Sequence, residues 1–186
     1  RLLFDPFSGT GTILVEAAMI GRNIAPGLER GFSFNNWTGV DKEILKTAKA
    51  QAMGSIDYKS EIKLIGTEID KDVYNVSNEI IEDLGFEDDI TIYNKDFRDF
   101  KLEDDFGVLI TNPPYGERLG NVDVKKLEQD LGKKMKPLKT WSNYIITSSE
   151  MFEKNFGKKA DKKRKLYNGK IKVDYYQFFG PKPNYS

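Results

Sequence analysis

The sequence predicts an α/β fold, a mostly parallel seven-stranded sheet with helices on both faces that ends in an antiparallel hairpin. Three observations carry this prediction. Short apolar runs alternate with segments of helical spacing, the pattern of strand–helix–strand units in a parallel sheet. After the last such unit come two alternating runs around Asn168-Gly169, a dipeptide typical of a type I′ hairpin turn. A glycine-rich turn, "PFSGTG", separates the first strand from the first helix.

The elements follow in order. "RLLFD" is an apolar run that stops at turn chemistry. "TILVEAAMIGRN" has helical spacing, with Ile13, Leu14, Ala17, Ala18 and Met19 on one side. "IAPGLERGFSFNNW" reads as a loop held by packed aromatic anchors. "DKEILKTAKAQAM" starts on an Asp cap and brings Ile44, Leu45, Ala48 and Ala52 to one face of a helix. "KLIGTEID" is a strand, and "KDVYNVSNEIIEDLG" is a helix closed by Gly85. "ITIYNKDF" and "FGVLITN" are strands. "VDVKKLEQDLGKKMKPL" is a helix ending near Pro137, and "WSNYIITSS" is the strand before the hairpin.

Composition limits the chemistry. The chain has 186 residues, 39% of them hydrophobic, which favours one domain with a real core. Lys plus Arg and Asp plus Glu both number 29, so net charge alone points to no nucleic-acid partner. With no Cys and no His, the sequence excludes Cys/His zinc sites, disulfides, thiol nucleophiles, Ser-His-Asp triads and an imidazole base. No metal site is expected. Neither a membrane-length apolar run nor a secretory signal is visible, and the cytoplasm is the expected compartment. The chain opens inside a strand without an initiator Met, which reads as part of a longer protein.

The site is expected at the strand ends, where ligands of open α/β sheets bind. Gly9 and Gly11 permit a tight turn and leave the N–H groups of a new helix free to face a ligand. The dinucleotide fingerprint G-x-G-x-x-G is incomplete, because Leu14 stands at its third glycine. Asp5, just before the turn, would repel a pyrophosphate and suit a ligand carrying an ammonium or sulfonium. Glu68 and Asp70 end the second strand; Glu68 suits ribose hydroxyls, while Asp70 can cap the next helix. Glu68 follows Gly11 by 57 residues, against about 20 in the dinucleotide pattern, so an insertion at about 23–60 is expected. Asp96 at the third strand end can accept from an adenine amine, with Phe97 packed on the ring.

The fourth strand stops at "TNPPYGERLG". Proline cannot feed a central ladder, so the turn itself is wanted. An exocyclic amine of a nucleobase is a poor nucleophile because its lone pair is delocalised. Asn112 Oδ1 and the Pro113 carbonyl can both accept its hydrogens. Pro113 and Pro114 hold that carbonyl rigidly, and Tyr115 offers a stacking face. The base must be flipped or unpaired to present this edge.

These motifs resemble S-adenosylmethionine-dependent methyltransferases that act on amino groups. "DPFSGTGTILVEAAMIGRNIAPGL", "TNPPYGERLG" and "KLYNGKI" together resemble the bacterial ribosomal-RNA guanine-N2 methyltransferases that carry a THUMP domain. The loop more commonly has Met and Cys where this chain has Phe7 and Ser8, a change that leaves the glycines intact. The resemblance implies a Rossmann-like class I methyltransferase fold over 1–186, with a THUMP-containing region upstream. It implies cofactor contacts from Asp5, Ser8, Gly9, Thr10, Gly11, Glu68, Ile69, Asp96, Phe97 and Asn112. Asn112, Pro113, Pro114 and Tyr115 are then the catalytic residues. The implied reaction is methyl transfer from S-adenosylmethionine, giving S-adenosylhomocysteine, to guanine N2 of 23S ribosomal RNA. The competing acceptors are adenine N6 of DNA and guanine N2 of tRNA.

RNA contacts are expected from Arg118 and from Lys162, Lys163, Arg164 and Lys165, in a basic cluster that begins at Lys158 and Lys159 before the hairpin. An upstream domain is expected to supply most RNA affinity. Phe34 and Trp37 read as core anchors of the insertion rather than stacking platforms.

Overall fold

The computed structural model describes residues 1–28, 30–39, 41–114 and 123–183. Seven strands form one sheet in the order β3-β2-β1-β4-β5-β7-β6. They are β1 (Leu2–Asp5), β2 (Leu64–Thr67), β3 (Ile90–Tyr93), β4 (Gly107–Thr111), β5 (Ser142–Thr147), β6 (Lys162–Asn168) and β7 (Ile171–Phe178). β1 to β5 pair in parallel; β7 runs antiparallel to both β5 and β6. The order reverses beside β1, between β2 and β4, and this is where an open sheet leaves a crevice at its carboxyl edge.

Helices cover both faces. α1 (Thr12–Gly21) and α3 (Lys71–Asp83) lie on one side, where Leu14, Ala18 and Ile81 pack with Leu64, Ile90 and Ile92. α4 (Val124–Met135) and α5 (Phe152–Phe156) lie on the other, where Leu127, Leu131, Phe152 and Phe156 meet Leu2, Phe4, Leu109, Ile145 and Tyr176. Buried on both faces, β2 is continuously apolar or small, whereas β3 at the sheet margin alternates buried with exposed residues. Side chains and a glycine cap the helix ends. The Asp70 carboxylate accepts from the amides of Asp72 and Val73, Asp123 caps α4, and α3 ends before Gly85 at φ 69°.

Two expectations are corrected, those for Trp37 and for the hairpin turn. The insertion helix forms as α2 (Lys42–Gly54), capped by Asp41, but none of its residues is buried and Ile44 is 67% exposed. Its helical spacing therefore does not mark a face packed within this chain. Trp37 is likewise 67% exposed and anchors no core, whereas Phe34 is half-buried and stacks on Phe32. At the hairpin, Asn168 pairs with Ile171, so the two-residue loop is Gly169-Lys170. Of these two, only Gly169 has positive φ, which suits a type II′ turn with glycine first and not the expected type I′.

Candidate active site at the carboxyl edge of the sheet

The ends of β1, β2, β3 and β4 bring most of the expected residues together. Asp5 ends β1 and is only 1% exposed. Its Oδ1 accepts from the Thr111 hydroxyl at 2.6 Å and from the Phe7 amide at 3.1 Å. Its Oδ2 is buried and has no partner among the described residues. Burial pushes the Asp5 carboxyl up to about 7; the bonds from Thr111 and Phe7 work against this, and the nearby Glu68 charge adds to it.

Within the loop itself most amides are bonded inside the protein. Gly9 and Gly11 take left-handed conformations at φ 53° and 82°. Glu68 Oε2 accepts from the Gly9 amide at 3.0 Å, while Glu68 Oε1 accepts from the Asp70 amide. The Ser8 and Gly11 amides bond to the Thr67 and Ser8 carbonyls. The Ser8 hydroxyl also donates to the Thr67 carbonyl, and Thr10 is exposed. The amides of residues 7, 8, 9 and 11 are thus satisfied inside the protein, and of the two nearby carboxyls Glu68 lines the adjoining cavity while Asp5 lies buried behind the loop. The Asp5 and Glu68 carboxyls beside the loop suit a cation better than a phosphate.

A cavity of about 170 Å³ continues from the loop, lined by Pro6, Phe7, Ile69, Phe97, Pro114 and Leu127 among others. Phe7 and Phe97 meet edge-on with centroids 4.9 Å apart. Asp96 lines the cavity, but its oxygens already serve this chain. Oδ1 accepts from the Arg98 amide, and Oδ2 pairs with Arg98 Nη1 at 2.7 Å. Each oxygen keeps a second lone pair for an adenine amine. Arg98 also pairs with Asp130 of α4 at 3.0 Å and lies over the Phe97 ring. Sequence reading missed Arg98, since its partner lies 32 residues away and no local pattern links them. It missed Pro6, Phe7 and Leu127 as lining residues for the same reason.

Asn112 follows β4 directly, beside the Thr111–Asp5 bond. Its Oδ1 is buried without a partner among the described residues, and Pro113 is buried. Tyr115 and Arg118 lie outside the described residues. The basic cluster is not brought to this edge as a unit. Lys162, Lys163, Arg164 and Lys165 form most of β6, the outermost strand, rather than a loop before it. Lys163 is engaged, paired with Asp174 at 3.0 Å and bonded to the Tyr176 hydroxyl, so it has no free charge to offer a phosphate. Among the described residues no cluster of three or more acidic groups suits a metal, and no helix is long and apolar enough to cross a membrane.

A sheet with this strand order and an acidic carboxyl edge defines a class I S-adenosylmethionine-dependent methyltransferase. The chain belongs to the family described as UPF0020, RMKL-like, methyltransferase domain, whose model matches residues 1–177. YpsC of Bacillus subtilis (strain 168), an RNA methyltransferase by name, is 41% identical over 180 residues, covering 96% of this chain and 47% of YpsC. The ribosomal RNA large subunit methyltransferase K/L of Shewanella baltica (strain OS155 / ATCC BAA-1091) is 38% identical, covering 93% of this chain and 25% of that protein. The chain thus spans about half the length of one relative and a quarter of the other. Among solved structures, SMU.472 is described as a methyltransferase in complex with SAH. It superposes with a TM-score of 0.92 at 42% identity, over 99% of this chain and 49% of its own. A Listeria monocytogenes protein whose description predicts an N6-adenine-specific DNA methylase superposes with a TM-score of 0.88 at 41% identity, over 97% of this chain and 47% of its own.

The site suits S-adenosylmethionine on this structure's own terms. Asp5 Oδ2, without a partner among the described residues, and the Glu68 carboxylate match a ligand bearing ammonium and sulfonium charge. The apolar cavity beside Phe97 matches a flat heterocycle.

Proposed function

We propose that this domain methylates the exocyclic amine of a nucleobase in RNA, with guanine N2 of 23S ribosomal RNA as the target. The observation that carries this reading is the buried Asn112 Oδ1 at the end of β4, which has no partner among the described residues and lies one residue from the Thr111–Asp5 bond. An unpaired acceptor in such a place costs stability unless a donor comes to it, and the amine N–H is that donor. The names of YpsC and the K/L enzymes support RNA as the acceptor.

In this mechanism Asp5, Ser8, Gly9, Thr10, Gly11, Glu68, Ile69, Asp96 and Phe97 hold the cofactor, which when bound supplies a methyl group on a positively charged sulfur. Asp5 and Glu68 face the positive charge. Asn112 Oδ1 and the Pro113 carbonyl accept the two amine hydrogens and draw the nitrogen toward tetrahedral geometry, which frees its lone pair for in-line attack. Pro113 and Pro114 hold this pair of oxygens in place. Tyr115 stacks on the base. No histidine is needed, because the proton leaves to water after transfer. The longer polypeptide supplies a THUMP-containing region that strengthens RNA binding, and the enzyme works in the cytoplasm.

The Listeria neighbour's description makes adenine N6 of DNA the competing acceptor. Labelled methyl transfer to ribosomal RNA, transfer RNA and DNA, followed by nucleoside analysis, separates these readings. N2-methylguanosine in ribosomal RNA is the expected product. N6-methyladenosine, or label in DNA alone, overturns the proposal.

A further inference from the structure

The sheet order divides the carboxyl edge in two. The cofactor-side residues Asp5, Glu68 and Asp96 end or follow β1, β2 and β3, and Asn112 follows β4. A methyl acceptor must therefore approach Asn112 from the far side, over β5, β7 and β6. There the hairpin overhangs. β5 ends at Thr147, paired with Asp174, while β7 begins three residues earlier at Ile171 and β6 runs beside it to Asn168. Three paired residues rise about 10 Å past the end of β5, and β7 stands two strand spacings, also about 10 Å, from β4.

The overhang carries the chemistry of a nucleic-acid contact. Tyr167 is 69% exposed and pairs directly across the strands with Lys172. Lys165 lies two residues before Tyr167, on the same face. Lys165 and Lys172 form no ion pair among the described residues. Asp174, which pairs across from Lys165, is held by Lys163. An exposed aromatic ring flanked by two uncommitted ammonium groups, beside the acceptor side of the site, is unlike a face awaiting an apolar partner.

We propose that the hairpin tip is a substrate-side clamp, in which Tyr167 stacks on an unpaired base flanking the target nucleotide while Lys165 and Lys172 meet the neighbouring phosphates. The proposal rests on RNA as the methyl acceptor. Fluorescence anisotropy with a short labelled single-stranded RNA tests it in the full-length protein. Tyr167→Ala should weaken RNA binding by about fivefold or more, and Tyr167→Trp should retain it. Lys165→Gln with Lys172→Gln should reduce the slope of log affinity against log salt by about 1.4. S-adenosylhomocysteine affinity and the thermal midpoint should not change, because these side chains face solvent. Wild-type RNA binding matched by Tyr167→Ala overturns the clamp alone, and so does a Tyr167→Ala defect confined to self-association or protein binding. A wild-type protein that fails to bind the RNA overturns the RNA reading and the clamp together.

Discussion

At the scale of single residues, the role proposed for Asp5 sets a conflict between stability and binding. Its carboxyl ionises near the usual value of 3.8 in the unfolded chain but at about 7 in the fold, chiefly because burial disfavours the charge. A raised carboxyl pKa means the folded state holds its proton longer. The associated stability is complete below pH 4 and is lost as pH rises through 7, an upper bound of about 4 kcal/mol. Asp5→Asn keeps an oxygen for Thr111 and Phe7 and removes the titration. The ligand-free variant should therefore melt higher than wild type at pH 8, with a smaller difference at pH 5. A bound cation acts the other way by favouring the ionised form. Wild-type S-adenosylmethionine affinity should rise between pH 6 and 8, and that of Asp5→Asn should be weak and flat. Melting scans and titrations at both ends of this range check the pair, and a variant with unchanged pH dependence would contradict the assignment.

At the scale of elements, close approach between the loop and β2 holds the site. A Cβ on Gly66 would lie 2.8 Å from a Leu14 methyl and 2.9 Å from Ser8 Cβ, while one on Gly9 would meet nothing within 4 Å. Gly66→Ala should cost about 1–3 kcal/mol through overpacking and should weaken cofactor binding by pushing Ser8 and the loop outward. Gly9→Ala carries only the strain of its left-handed backbone, about 1–2 kcal/mol. Chemical denaturation and calorimetric titration of both variants test this contrast; equal loss of cofactor affinity would remove the packing argument. Most elements were legible because β1, β2, β4 and β5 are apolar runs bounded by turn residues, and α1, α3 and α4 carry clear caps or spacing. α5 escaped because five residues are too few to show a helical period. The spacing of α2 marks the helix, but periodicity reports amphipathicity and not what covers it, and none of its residues is buried. The Asn168-Gly169 signal located the hairpin but not its register, which β5 and β7 fix by their own pairing.

At the scale of the molecule, one sheet edge separates two tasks. In the proposed function, β1, β2 and β3 present carboxylates and an apolar cavity to the methyl donor, and β4 presents an amide oxygen and two prolines to the acceptor. The motifs for both tasks could be read from sequence, because each sits at the end of its own strand. The contacts that join them could not. Glu68 reaching Gly9 and Arg98 bridging Asp96 to Asp130 depend on a fold that brings distant segments together. The division makes the sharpest demand on Asn112. Single-turnover methyl transfer by Asn112→Ala, measured beside its S-adenosylhomocysteine affinity, tests it most directly. Transfer should fall by about 10²-fold or more while affinity stays within about threefold of wild type. A parallel loss of both, or transfer at the wild-type rate, would contradict the account.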